Sequence, residues 1–137
     1  MNQRDYIFTH DIAVRDYELD SEGIVNNAIY LHYLEHTRHA FCREHGISFA
    51  AMTAGGITPV VSRIEVDYRV PLRSGDVVSS SLWLDRQGVR FIFHQDLHIR
   101  ATGALSASAV VTIVCLRDGK PCRGEELATA FAQYIDP

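Results

Sequence analysis

The chain has 137 residues, 47% of them hydrophobic, enough for one ordinary core and too few for two, so residues 1–137 are read as a single domain. Thirteen basic residues against seventeen acidic ones leave a formal net charge of -4, which excludes the one-sided basic balance that binding to a phosphate backbone requires. Nucleic acid is therefore not an expected partner, and any phosphate must be met by a few local arginines.

Cys42, Cys115 and Cys122 are an odd number without C-x-x-C spacing, which predicts free thiols in a reducing compartment. The first ten residues carry charge and no apolar run of signal-peptide length, and no stretch is apolar for long enough to cross a bilayer. A soluble, cytoplasmic protein is the expectation.

In chain order, residues 6–14 place Phe8, Ile12 and Val14 on one side of a first strand. Asp20-Ser21-Glu22-Gly23 breaks it. From residue 27 to 45 the period changes: Tyr30, Tyr33, Leu34, Thr37 and Phe41 share one arc of a helix, and His32, His36, His39 and Arg43 the opposite arc. Gly46 stops this helix, and residues 50–56 are read as a loop. Val60, Ser62, Ile64, Val66, Tyr68 and Val70 then alternate with Val61, Arg63, Glu65, Asp67 and Arg69 in a long half-buried strand ended by Pro71. Further strands are predicted over 77–84, 89–99 and 104–116, separated by short turns, the last buried on both faces. Residues 119–121 close it, and 125–134 can form a short helix. The order predicts an α+β architecture, a hotdog fold with a long central helix wrapped by a five-stranded antiparallel sheet.

The stretch Tyr17-Glu18-Leu19-Asp20-Ser21-Glu22-Gly23-Ile24-Val25-Asn26-Asn27-Ala28-Ile29-Tyr30, with Tyr33-Leu34-Glu35 and Arg38 after it, resembles the signature of the 4-hydroxybenzoyl-CoA thioesterase family of hotdog enzymes. The family's later pattern is also present, a strand ending in Tyr68-x-x-Pro71 with Gly75-Asp76 beyond, so the resemblance runs over roughly residues 8–118. In wording it is most similar to plant plastid acyl-lipid thioesterases and their bacterial relatives. The resemblance implies a hotdog thioesterase domain that hydrolyses an acyl-CoA or acyl carrier protein thioester without a cofactor. It implies Asp20 as nucleophile or general base, the Asn27 backbone N–H as oxyanion donor, and Gly23, Val25, Asn26 and Tyr30 as substrate-binding positions. It further implies a homo-oligomer, a dimer or a tetramer, with each site between one subunit's helix start and its neighbour's strands. Relatives often carry Tyr or His at position 27; Asn keeps the backbone role and weakens the case for a benzoyl-type acyl group.

Elementary chemistry supports such a site. A thiol leaving group with a pKa near ~8.5 departs without much help from a general acid, so one carboxylate and one oxyanion donor suffice. Asp20 precedes Asn27 by seven residues, at the edge of a loop entering a helix N-terminus, where N–H groups and the positive dipole end are available. The plainer role for Asp20 is a turn or capping carboxylate, and capping also suits the side chains of Asn26 and Asn27. Tyr30 belongs to the core stripe and can also border an acyl pocket; Glu35 and Arg38 are read as helix-surface or subunit-contact residues.

His32-x-x-Glu35-His36 spells a zinc-hydrolase motif, but on the polar arc it is read as helix surface, and no metal is expected. His94 and His98, with Asp96 and Arg100, suit a polar outer sheet face. Arg63, Arg69, Arg73, Arg86, Arg90, Arg100 and Arg117 include the candidates for coenzyme A phosphates. No Gly-x-Ser-x-Gly elbow or Cys–His pairing is present. Two rivals remain open: a non-catalytic acyl-thioester-binding hotdog protein, and a hotdog dehydratase, for which His10 is a poor catalytic candidate.

Overall fold

A long amphipathic helix has one apolar stripe to bury, and a meander of strands supplies the surface that buries it. The computed structural model describes residues 5–135, which leaves residues 1–4 of the charged N-terminal stretch outside the described residues. In chain order it has β1 (Phe8–Ala13), a 3-10 turn (Asp16–Glu18), α1 (Asn27–Glu44), α2 (Phe49–Ala54), β2 (Ile57–Tyr68), β3 (Val77–Gln87), β4 (Arg90–Ile99), β5 (Leu105–Arg117), β6 (Lys120–Cys122) and α3 (Glu125–Phe131). The main strands run β1-β3-β4-β5-β2, every pairing antiparallel, with β6 folded back on β5. This is the hotdog fold.

All five residues assigned to the apolar arc of α1 (Tyr30, Tyr33, Leu34, Thr37 and Phe41) are buried. Its first half packs with Ile12, Val14, Leu72, Val78, Leu97 and Ile99. Its second half packs through Phe41 against Phe93 and Phe131, edge-on or tilted at 6.4 Å. Thr37 closes the seam with the polar core, its hydroxyl 2.6 Å from that of Ser80.

Four expectations need correction. Residues 50–56 are not simply a loop: α2 forms there, capped by Ser48, whose hydroxyl accepts from the Ala51 N–H at 3.0 Å. A six-residue helix is too short to leave a periodic signature. The turn at 119–121 contributes a small sixth strand, because the chain reverses tightly enough to pair Lys120 with Arg117. Arg38 is not a surface residue. It is 7% exposed and donates to Gln95 Oε1 at 3.1 Å, while Gln95 donates to the Leu34 carbonyl; burial lowers the Arg38 pKa.

The fourth correction concerns β2. Its pairing with β5 slips between Val61 and Arg63, so that Val60 lies opposite Val114, whereas Val61, Ile64 and Tyr68 lie opposite Ile113, Val111 and Ala107. The latter three β5 residues are core residues, and directly paired residues share a face. The bulge therefore moves Val60 away from the face of Ile64. Being an edge strand, β2 leaves Ile64 37% and Tyr68 47% exposed instead of half-buried, and Val61, which the bulge brings onto their face, 44% exposed.

Gly124, before α3, holds a left-handed φ of +67°. A Cβ there would lie 2.8 Å from Cys115 Sγ and 3.2 Å from Phe91 Cε2. Gly124→Ala combines backbone strain with overpacking and is expected to cost about 3 kcal/mol, measurable as a lower midpoint in urea unfolding at unchanged slope.

Candidate active site

Between the 3-10 turn and α1 the chain makes a small hairpin. Leu19 and Val25 bridge across it, the Asp20 N–H donates to the Ile24 carbonyl at 2.8 Å, and the Gly23 N–H donates to the Asp20 carbonyl at 3.1 Å. Gly23 has a φ of +77°, and a Cβ on it would meet nothing within 4 Å, so glycine is there for the turn itself. Asp20 is half-buried. Its Oδ1 accepts from the Glu22 N–H at 2.8 Å and the Ile24 N–H at 3.4 Å, an Asx turn. Oδ2 has no hydrogen-bond partner among the described residues. The turn thus engages one oxygen of the carboxylate and leaves the other outside its bonding.

Asn26 caps α1: its side-chain oxygen accepts from the Ala28 N–H at 2.9 Å. Loss of this bond in Asn26→Ala is expected to cost about 1 kcal/mol, read as a fall in Tm with the cavity residues unchanged. With Ala28 satisfied by the cap and the Ile29 N–H given to the Asn26 carbonyl at 2.9 Å, the Asn27 N–H has no partner among the described residues. It sits at the positive end of the α1 dipole.

Asp20 and Asn27 line one cavity of about 200 Å³. Ile24, Val25, Tyr30 and Pro71 give it apolar walls, and Tyr68 and Arg69 complete the lining. Tyr68 reaches across from the end of β2 to donate to the Asn27 carbonyl at 2.9 Å, and its ring meets Tyr30 edge-on at 5.0 Å. Leu72 ties the far wall down twice: its N–H donates to the Tyr30 hydroxyl at 3.2 Å, and its carbonyl accepts from Val25 at 2.9 Å. Apolar walls with a carboxylate and an unclaimed N–H can hold an acyl group and polarise its carbonyl.

Residues 14–133 match the family model of the thioesterase-like superfamily. The chain belongs to this family. Its relatives include the long-chain acyl-CoA thioesterase FadM of Escherichia coli, 37% identical over 106 residues that cover 77% of this chain and 80% of FadM. A chloroplastic acyl-acyl carrier protein thioesterase of Arabidopsis thaliana is 42% identical over 66 residues, 48% of this chain. That match spans only 35% of the plant protein's length. Among solved structures, a 1,4-dihydroxy-2-naphthoyl-CoA thioesterase from Synechocystis superposes with a TM-score of 0.83 over 91% of this chain and 95% of that one, at 18% identity. At that identity the likeness speaks for the fold.

Of the positions singled out in the sequence of this family member, Asp20, Val25, Asn27 and Tyr30 line the cavity. Gly23 and Asn26 do not; one shapes the hairpin and the other caps the helix. Sequence reasoning does not place Ile24, Tyr68 or Pro71 in the site, although Tyr68-x-x-Pro71 is visible as a pattern. Arg69 is one of seven arginines that the sequence leaves undifferentiated.

Other candidate groups lie elsewhere. No histidine lines the cavity among the described residues. His10 and His36 meet at 3.2 Å between their Nε2 atoms, in a separate hollow of about 490 Å³ between β1 and α1 that also takes in His32 and His39. Partial burial, with His10 beside it, lowers the His36 pKa. Among the described residues no three His, Cys, Asp or Glu side chains are placed to hold one metal ion. Burial pushes the Cys42 and Cys115 thiols up to about 11, which leaves them un-ionised near neutral pH. Also among the described residues, no helix is long and apolar enough to cross a membrane.

Proposed function

We propose that this chain hydrolyses an acyl thioester of coenzyme A or acyl carrier protein to the free acid and thiol, with Asp20 as the reacting carboxylate and the Asn27 N–H as oxyanion donor. The observation that carries this reading is the shared cavity of the two groups, Asp20 having one oxygen outside its turn and Asn27 an N–H outside the helix's own bonding. The thioester carbonyl oxygen takes the position before the Asn27 N–H, where the helix dipole stabilises the charge that develops on it. In one route Asp20 attacks the carbonyl carbon, the C–S bond breaks with loss of thiolate, and water cleaves the resulting mixed anhydride. In the other, Asp20 takes a proton from a water that attacks directly. Val25, Tyr30 and Tyr68 offer the acyl chain its apolar surface.

The working unit on this reading is a single-domain subunit in a homo-oligomer, a dimer or a tetramer. Support comes from β2, which is a sheet edge and carries the exposed Val61, Ile64 and Tyr68 on its helix-side face; an apolar edge of this kind invites pairing, and a two-fold arrangement closes it. Three free cysteines accord with a reducing cytoplasm.

Thiol release from a panel of acyl-CoA and acyl carrier protein thioesters, ordered by chain length, tests the activity. Release by the wild type and its loss in Asp20→Asn is the expected result. Tight binding without release would make the protein an acyl-thioester binder. Water loss from a hydroxyacyl thioester without thiol release would make it a dehydratase.

A further inference from the structure

We propose that Glu18 and Tyr33 are positioning residues, whose mutual hydrogen bond holds the 18–26 hairpin so that the Asp20 carboxylate and the Asn27 N–H address one carbonyl group. The proposal rests on the hydrolase reading above and adds two residues that touch neither the cavity nor the reacting atoms.

Glu18 is 6% exposed, and a carboxylate out of water persists only where fixed donors replace its hydration. Three do so. Its Oε1 accepts from the Tyr33 hydroxyl at 2.8 Å and from the Arg15 N–H at 2.8 Å, and its Oε2 from the Arg15 guanidinium at 3.3 Å. Tyr33 is 2% exposed on the core face of α1. Burial and the neighbouring Glu18 raise its hydroxyl pKa well above the usual value, so it remains a donor at any working pH.

The backbone around this carboxylate carries both reacting groups. The Glu18 carbonyl accepts from the Asn26 N–H at 2.9 Å, which closes the hairpin at its base. Asp20 is two residues beyond one end of that closure and Asn27 is the residue after the other. A shift of Glu18 relative to α1 therefore changes the separation of Asp20 from the Asn27 N–H. Two apolar side chains would also join hairpin to helix, but without direction. Hydrogen bonds to a buried carboxylate impose length and angle together, and misplacement by about 1 Å is enough to cost about a hundredfold in rate.

Tyr33→Phe removes one hydroxyl and leaves the ring, Glu18→Ala removes the acceptor, and Glu18→Gln keeps an oxygen for both Tyr33 and Arg15. On an acyl-CoA that the wild type hydrolyses, Tyr33→Phe and Glu18→Ala are expected to lower kcat by on the order of ten- to a hundredfold with KM within about twofold, and Glu18→Gln to recover most of it. Amide exchange gives a second readout: in Tyr33→Phe the Ile24 and Asn26 amides exchange about tenfold faster while Thr37 and Arg38 in mid-helix do not change. The proposal is overturned if folded Tyr33→Phe keeps wild-type kcat and wild-type exchange. It is equally overturned if kcat, KM and Tm worsen together in Glu18→Ala and Glu18→Gln rescues none of them. Should Glu18→Ala fail to fold, Tyr33→Phe decides. A wild type that releases no thiol from any substrate defeats the hydrolase reading instead, and the exchange rates then still decide whether these residues fix the hairpin.

Discussion

Asp20→Asn is expected to lower kcat for thioester hydrolysis by about a thousandfold while shifting Tm by no more than a degree or two. The asymmetry follows from how the two carboxylate oxygens are used. Oδ1 is the acceptor for the Glu22 and Ile24 amides, and the asparagine amide oxygen can take over that acceptor role, so the hairpin keeps its shape. What the substitution removes is the negative charge and, on the proposed mechanism, the oxygen that attacks or takes up a proton. Asp20→Ala is the informative contrast: it loses both functions and should add a stability loss of about 1 kcal/mol from the orphaned turn amides. Single-turnover hydrolysis in heavy-oxygen water bears on the two chemical routes: label in Asp20 requires a mixed anhydride opened at the Asp20 carbonyl, whereas direct attack by water, like attack on the acyl carbon of an anhydride, puts the label only in the released acid. A well-folded Asp20→Asn protein that hydrolyses at the wild-type rate would remove this residue from the chemistry.

Sequence patterns are legible where one periodicity governs an element. The buried arc of α1 can be read because Tyr30, Tyr33, Leu34, Thr37 and Phe41 follow the helical period over several turns. Arg38, buried beside that arc, escapes such a reading because residue type outweighs position: a guanidinium is rarely taken inside, and the carboxamide of Gln95 that receives it is 57 residues away. The bulge in β2 is hidden by the run Val60-Val61, which fits either face, so that an unbroken alternation continues on paper through Ser62. The site divides in the same way. Asp20, Gly23 and Asn27 are close in sequence and their spacing is informative. Tyr68 joins them through a hydrogen bond to a carbonyl 41 residues earlier, a contact created by the fold.

The edge of β2 gives the second large effect. On the proposed pairing of subunits through this edge, Val61→Lys combined with Ile64→Lys is expected to yield a folded monomer in sedimentation at micromolar concentration and to lower kcat/KM at least tenfold. Both side chains are exposed in the isolated chain, so lysine there leaves the subunit's own core alone. Burying a valine or isoleucine side chain contributes about 1.5–3 kcal/mol, and in a two-fold interface each substitution occurs twice. Four ammonium groups at one contact also repel one another, so the association constant should fall by about three orders of magnitude or more. Activity is expected to follow because Tyr68, on the same strand and face, forms one side of the Asp20 cavity; on the proposed pairing through β2, loss of the neighbouring subunit opens that side to water. Water there weakens the attraction between the oxyanion and the Asn27 N–H by raising the local dielectric. A monomeric double variant with undiminished kcat/KM would show that each subunit completes its own site, and a wild type that sediments as a monomer while hydrolysing substrate would remove the partner altogether.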